Sequence, residues 1–289
     1  MWEAAAAVAF FAGTLACLYG YAHYHANKKP RNNPGAFLKG KFNRNGKKIV
    51  RNGKKIVVCI GDSITHGNVG CNYVDILSDR LGSKGFQFIN AGINSEHAYN
   101  VLQRLDEVIE CRPDFVTILI GTNDSNKSRT DAAARKAMRR MRLPQRPTAE
   151  WYRANLFEIC RRLKAKTAAR VAILSLPIIT EDVSHPAFKH SLEYIEIIKE
   201  VAEKENLTYL PLREKMTEIV RGKPSFARYS FERRDWLTKK CVAQHFYMKK
   251  SWNNIAAANG FSLLIDFVHL NSAGAEMTAA LIEDFLTNE

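Results

Sequence analysis

Between Glu3 and Asp62 the chain carries no acidic residue, and before Lys28 it carries no basic one. The second absence excludes the basic start that a cleaved secretory signal requires. The first leaves Lys28, Lys29, Arg31, Lys39, Lys41, Arg44, Lys47 and Lys48 without acidic neighbours along the chain. Cysteine lacks a pattern: Cys17, Cys59, Cys71, Cys111, Cys160 and Cys241 form no Cys-x-x-Cys pair and no Cys/His metal spacing. A zinc framework is therefore not expected, and free thiols point to a reducing compartment. No cofactor motif is legible either.

What is abundant is positive charge. Across 289 residues, 43 Lys and Arg stand against 29 Asp and Glu, a net charge of +14. Such an excess attracts an anionic partner, an acidic membrane surface or nucleic acid, unless it is only a solvated basic surface. The N-terminus favours the membrane, and nucleic acid is not the expected partner. Ala4 to Ala22 is uncharged and weighted by Phe10, Phe11, Leu15 and Leu18. Trp2 lies at one end, with Tyr19, Tyr21 and Tyr24 at the other, as interfacial anchors do. A helix needs about 20 residues to cross a bilayer core, so this run barely suffices. Residues 1–26 are expected to be a single-pass membrane anchor, with the basic side, and hence the body, facing the cytosol.

Residues 27–54 read as a basic linker, too poor in apolar side chains to offset the entropy of ordering. Within and just beyond it Arg44-Asn45-Gly46-Lys47-Lys48-Ile49-Val50 recurs as Arg51-Asn52-Gly53-Lys54-Lys55-Ile56-Val57. Beside a membrane such a segment gains about 1 kcal/mol per basic residue held near anionic lipid. From residue 55 onward short apolar runs alternate with helical patterns. Strands are expected at Lys55–Gly61, Phe86–Asn90, Phe115–Gly121, Arg170–Leu176 and Leu207–Leu212. Helices are expected near 72–82, 96–109, 149–166, 189–205 and 272–287. This alternation predicts an α/β fold, a three-layer α/β/α sandwich on a parallel five-stranded sheet, with sites at the carboxyl ends of the strands.

Two motifs about two hundred residues apart carry chemistry. Gly61-Asp62-Ser63 follows the first strand, and Asp266-Phe267-Val268-His269 lies near the end. A serine hydroxyl becomes a nucleophile when a neutral imidazole takes its proton and a carboxylate fixes that imidazole. Ser63, His269 and Asp266 supply the three groups. His66 and His97 are rival bases, but neither has an acidic partner at the spacing Asp266 offers His269. Asp62 and Asp124 read as structural, and His185, His190 and His245 as surface or packing residues.

With these blocks the sequence resembles the GDSL or SGNH hydrolases. Gly61-Asp62-Ser63, Asn90-Ala91-Gly92-Ile93-Asn94-Ser95, Gly121-Thr122-Asn123-Asp124 and Asp266-Phe267-Val268-His269 match the family's four blocks in order. The resemblance implies a flavodoxin-like sheet, Ser63 as nucleophile, and an oxyanion hole made by Ser63, Gly92 and Asn123. It spans roughly Ile56 to Leu286, interrupted by insertions near 125–148 and 221–255. The first reads as a helix over 132–142 with one cationic face, a membrane-surface helix or a flap over the site, or else a solvated helix packing its Met face on the body. The second mixes basic and aromatic side chains, which suit a lid over lipid, the favoured reading, but also nucleic-acid stacking or a small packed subdomain.

The expected function is a membrane-tethered serine esterase or lipase-like hydrolase that forms an acyl-enzyme, on a lipid or lysophospholipid ester. A carbohydrate O-acetylesterase or O-acyltransferase is the alternative enzyme. A dead hydrolase fold binding lipid or nucleic acid is the alternative outside catalysis. Oligomeric state is not legible.

Overall fold

A computed structural model describes residues 20–40, 53–223 and 226–288. The expected membrane span lies almost wholly outside these residues, as does most of the tandem repeat. Among the described residues no helix is long and apolar enough to cross a membrane.

The five expected strands are present: β1 Lys55–Gly61, β2 Phe86–Gly92, β3 Phe115–Leu119, β4 Arg170–Leu174 and β5 Thr208–Leu210. They pair in parallel in the order β2-β1-β3-β4-β5. Parallel neighbours need long crossovers, which place helices over both faces. The burial of β1 shows the three layers directly. Val57 and Cys59 enter one core, whereas Ile56, Val58 and Ile60 enter the other. The first core packs beneath the helices Tyr73–Leu81, Leu212–Val220, Arg234–Phe246 and Ser272–Thr287, the second beneath Ala98–Gln103, Leu105–Glu110, Ala149–Lys166 and most of Pro186–Lys204.

Departures from the expected elements have local causes. The helix expected over 96–109 breaks at Arg104, whose guanidinium turns back to the Glu96 carboxylate (2.6–3.0 Å) and to the Ala91 carbonyl (2.7 Å). β5 stops at Leu210 because Pro211 has no N–H to give the ladder, and Leu212 opens a helix instead. The basic helix of the first insertion forms at Asp131–Met141, burying Ala134 and Ala137. The second insertion holds two helices that composition did not reveal, Arg234–Phe246 and Trp252–Asn259.

Residues 20–40 depart furthest from expectation. A helix at 20–27 leads into a strap that lies on the body, and a second helix, Pro34–Gly40, packs Phe37 and Leu38 against the second core. Few apolar groups hold this strap; amides do. Asn32 accepts from the Asn90 amide at 3.0 Å and gives its side-chain N–H to the Phe88 carbonyl at 3.2 Å, covering the outer edge of β2. Asn68 donates to the carbonyls of His25 and Lys28 at 3.0 and 2.7 Å, and Asn94 donates to the carbonyl of Ala26 at 2.8 Å. The composition of 27–40 underrates its order because backbone carbonyls, which composition ignores, make these contacts.

Candidate active site

All four sequence blocks meet at the carboxyl edge of the sheet, three of them on the loops after β1, β2 and β3. Gly61 ends β1 and Asp62 caps the short helix Ser63–His66 by accepting the Ile64 amide at 3.0 Å. Asn90 locks this turn to the next loop, donating to the Thr65 carbonyl at 2.7 Å. The late block reaches the early one through Gly70 (φ +94), where an added Cβ would lie 2.5 Å from the Leu270 carbonyl oxygen. The adjacent Cys71 amide bonds to that carbonyl at 2.8 Å.

Ser63 Oγ lies 3.0 Å from His269 Nε2, and His269 Nδ1 lies 2.8 Å from Asp266 Oδ2. An ionised carboxylate only accepts, so Nδ1 carries the ring proton and Nε2 is the free acceptor facing the serine hydroxyl. Asp266 is fully buried. Burial would raise its pKa, but the His269 charge and hydrogen bonds from His269 and Thr238 outweigh this and hold the carboxyl below its usual range. Burial likewise lowers His269, yet Asp266 outweighs it, and the imidazole stays more basic than usual.

The Asp266–His269 turn is held by groups that no motif marks. Thr238 donates to Asp266 Oδ2 at 2.5 Å, and the Val268 and His269 amides donate to Oδ1 at 3.2 and 2.9 Å. Phe267 takes a left-handed φ of +82, and its ring packs edge-on against Phe231 and Phe261. Just upstream, the Glu181 carboxylate accepts the amides of Ser262, Leu263 and Leu264 at 2.7–3.0 Å. Thr238 and Phe231 belong to the second insertion. That segment buttresses the histidine turn, where the sequence favoured a lid over a small packed subdomain.

On the oxyanion side one expected donor has its N–H occupied. The Gly92 amide already donates to Asn90 Oδ1 at 2.9 Å, and a Cβ there would sit 2.2 Å from the His66 backbone nitrogen. Gly92 is thus a close-packing glycine with an occupied N–H. The main-chain N–H groups of Ser63, Asn94 and Ser95 carry no hydrogen bond to a described residue, and Ser95 holds a left-handed φ of +68. Asn123 does face this region. Its side-chain amide donates to Asp62 Oδ2 at 3.2 Å and to the Glu96 carbonyl at 3.0 Å. Burial pushes the Asp62 carboxyl up to about 6, partly offset by the Ile64 amide and the His269 charge.

The remaining candidates fall where sequence put them. Asp124 is buried and accepts the Ala98 amide at 3.2–3.3 Å, and burial pushes it up to about 7. His66 and His97 are buried, with pKa values pushed down to about 4 chiefly by that burial, and neither pairs with a carboxylate. His185 accepts the Ala187 amide, His190 meets Ser128, and His245 stacks on Trp252. Among the described residues no three His, Cys, Asp or Glu side chains converge as metal ligands.

A three-layer sandwich with a serine, histidine and aspartate in hydrogen-bonded sequence at its carboxyl edge defines a serine hydrolase. The chain belongs to the GDSL-like lipase/acylhydrolase family, whose model matches residues 59–277. It is accordingly a serine hydrolase that acts on ester bonds. No curated protein is similar enough in sequence to count as a relative. Among solved structures, it is similar to Axe2, an acetylxylan esterase from Geobacillus stearothermophilus: 19% identity, TM-score 0.58, covering 83% of this chain and 98% of that one. A variant of Axe2 described as an acetyl-xylooligosaccharide esterase gives 19% identity, a TM-score of 0.60 and the same coverage. The acetyl xylan esterase AlAXEase gives 21% identity, a TM-score of 0.57, and 80% and 99% coverage. Identities this low speak for the fold alone.

Proposed function

We propose that the chain hydrolyses short-chain carboxylic esters through an acyl-Ser63 intermediate, with an O-acetylated carbohydrate as the favoured substrate class. The observation that carries the mechanism is the relay from Ser63 Oγ to His269 Nε2 at 3.0 Å and from His269 Nδ1 to Asp266 at 2.8 Å. His269 takes the serine proton as Ser63 attacks the ester carbonyl, then returns it to the departing alcohol. Water activated by the same imidazole releases the acid. The tetrahedral oxyanion is met by the Ser63 amide, by an amide of the Asn94–Ser95 loop, and by one N–H of Asn123 redirected from its present acceptor. Likeness to acetylxylan esterases over nearly their whole length supports the carbohydrate class.

A second reading, a membrane-held lipid esterase, is favoured by a different observation. The helix at 20–27 emerges from the uncharged N-terminal run and meets the body at once: the Ala22 amide donates to the Tyr247 hydroxyl at 3.1 Å. Exposed Tyr21 and Tyr24 lie on this helix, and Met248 follows its contact Tyr247. A span ending near Ala22 would seat the body directly on a bilayer, on its cytosolic side, rather than at the end of a tether.

Labelling with a fluorophosphonate probe, followed by a panel of acetylated xylooligosaccharides and of acyl esters of rising chain length, tests both. Ser63→Ala should lose labelling and hydrolysis while remaining folded. Retained labelling in that variant refutes the nucleophile assignment. A preference for long acyl chains over acetylated sugar moves the assignment to lipid.

A further inference from the structure

The two elements that frame the active site each carry a cation one helical turn from their site contact. Lys127 follows Asn123 by four residues on the helix Thr122–Ser128, and Arg234 precedes Thr238 by four on Arg234–Phe246. Side chains four apart on a helix share a face. Lys127 therefore projects beside the oxyanion side of the site, and Arg234 beside the Asp266 side. The two cations lie within reach of one another's charge. Burial lowers the Lys127 ammonium first, and Arg234, Lys136 and Arg140 lower it further, with Asp235 opposing. Lys136 and Arg140 are themselves four apart on the basic helix Asp131–Met141.

The group has more positive charge than the fold uses. Asp235 is already held by Lys136 at 2.7 Å, and Arg234 Nε is 3.8 Å from it, outside hydrogen-bond range. Arg234 Nε is buried without a hydrogen-bond partner. Lys127, half-buried, has no hydrogen bond or ion pair to a described residue. The guanidinium groups of Arg129 and Arg234 both lie over the Phe231 ring, at 5.0 and 4.8 Å, which fixes their position. The exposed Glu232 carboxylate, which accepts from Ser230, acts on both from the solvent side, so Lys127, Arg129, Arg234, Lys136 and Arg140 still outnumber Glu232 and Asp235. Half-buried like charges repel, and an unpaired buried donor is costly. A bound anion removes both penalties at once.

We propose that the ester cleaved here bears an anionic group, carboxylate or phosphate, close to its scissile bond, and that Lys127 and Arg234 bind that group beside the triad. The proposal rests on the esterase reading above and adds the charge of its substrate. A forked guanidinium and a nearby ammonium suit either oxyanion.

Matched ester pairs test this. On the alcohol side, 4-acetoxybenzoate and 4-acetoxyphenyl phosphate are compared with neutral 4-acetoxybenzamide. On the acyl side, mono-4-nitrophenyl glutarate is compared with its methyl ester. Wild type should favour a charged member of at least one set; the set tells the alcohol side from the acyl side, and the favoured member of the first set tells carboxylate from phosphate. In Lys127→Met, and separately in Arg234→Gln, the charged-to-neutral ratio of kcat/KM should fall about tenfold, the size of one charge-assisted hydrogen bond. A merely structural role would lower both members equally. No charged preference in any set, or an unchanged ratio in both variants, overturns the proposal. If no ester is cleaved, the esterase reading has failed, and calorimetric titration of the Ser63→Ala protein still decides the role of the two cations. Tighter binding of 4-acetoxybenzoate or 4-acetoxyphenyl phosphate than of the amide, lost on adding Lys127→Met, supports it; equal binding of all three overturns it.

Discussion

Thr238 donates a 2.5 Å hydrogen bond to Oδ2 of Asp266, the same oxygen that faces His269 Nδ1. The donor stands in an insertion, 28 residues before its acceptor, so the carboxylate is held from a segment outside the four family blocks.

A hydrogen bond to a charged group contributes about 1.5–3 kcal/mol. Thr238→Val should therefore lower kcat about tenfold or more with little change in KM, while Thr238→Ser keeps most of the activity. Equal kcat in wild type and Thr238→Val would remove Thr238 as a positioning residue.

The pH profile follows from the coupled pair. His269 works as a base only when neutral, and the buried Asp266 beside it raises its pKa from 6.5. Hydrolysis should fall as pH drops through a value above about 6.5. Asp266→Asn removes the charge that holds the proton, so the acid limb should move to lower pH while kcat drops steeply. An acid limb that stays in place in this variant would contradict the assignment.

Asn123→Ala should lower kcat about a hundredfold or more, the usual loss for an oxyanion donor, with KM changed far less. An unchanged kcat would leave Asn123 with only its contacts to Asp62 and Glu96.

Gly92 and Asn123 should behave differently. Gly92→Ala retains its N–H but drives a methyl group toward the His66 backbone nitrogen, 2.2 Å from the ideal Cβ position. The expected result is a loss of about 1–3 kcal/mol of stability, read as a lower Tm. An unaltered Tm with impaired turnover would restore Gly92 to the oxyanion side.

Two truncations separate anchor from strap. On the membrane-held reading, removing residues 1–19 should release the protein from membranes, whereas removing 1–40 should also lower the Tm. Continued sedimentation with membranes after the shorter deletion would place the attachment elsewhere. An equal Tm for both would mean that the Asn32, Asn68 and Asn94 contacts add no stability.

Much of this architecture was legible because local pattern and tertiary demand coincide. Buried parallel strands must be apolar on both faces, and Ile56-Val57-Val58-Cys59-Ile60 is apolar at every position. The triad was legible because its chemistry restricts residue type and, for Asp266 and His269, spacing within one turn. Gly92 has its N–H occupied, which sequence did not show, because a glycine beside a site looks the same whether its N–H is free or its missing Cβ is what matters. Thr238, Glu181 and the strap were invisible for a different reason. Their partners are a distant carboxylate, three backbone amides and two asparagine side chains, and no periodicity encodes contacts of that kind.

The strap joins the two ends of the protein's chemistry. His25, Ala26 and Lys28 supply the carbonyls grasped by Asn68, downstream of the nucleophile, and by Asn94, in the loop offering free amides. A protease that clipped the chain past Lys28 would do more than shorten it. It would deprive both loops of their clasp, so a liberated fragment of that length would be a weaker enzyme than the intact chain.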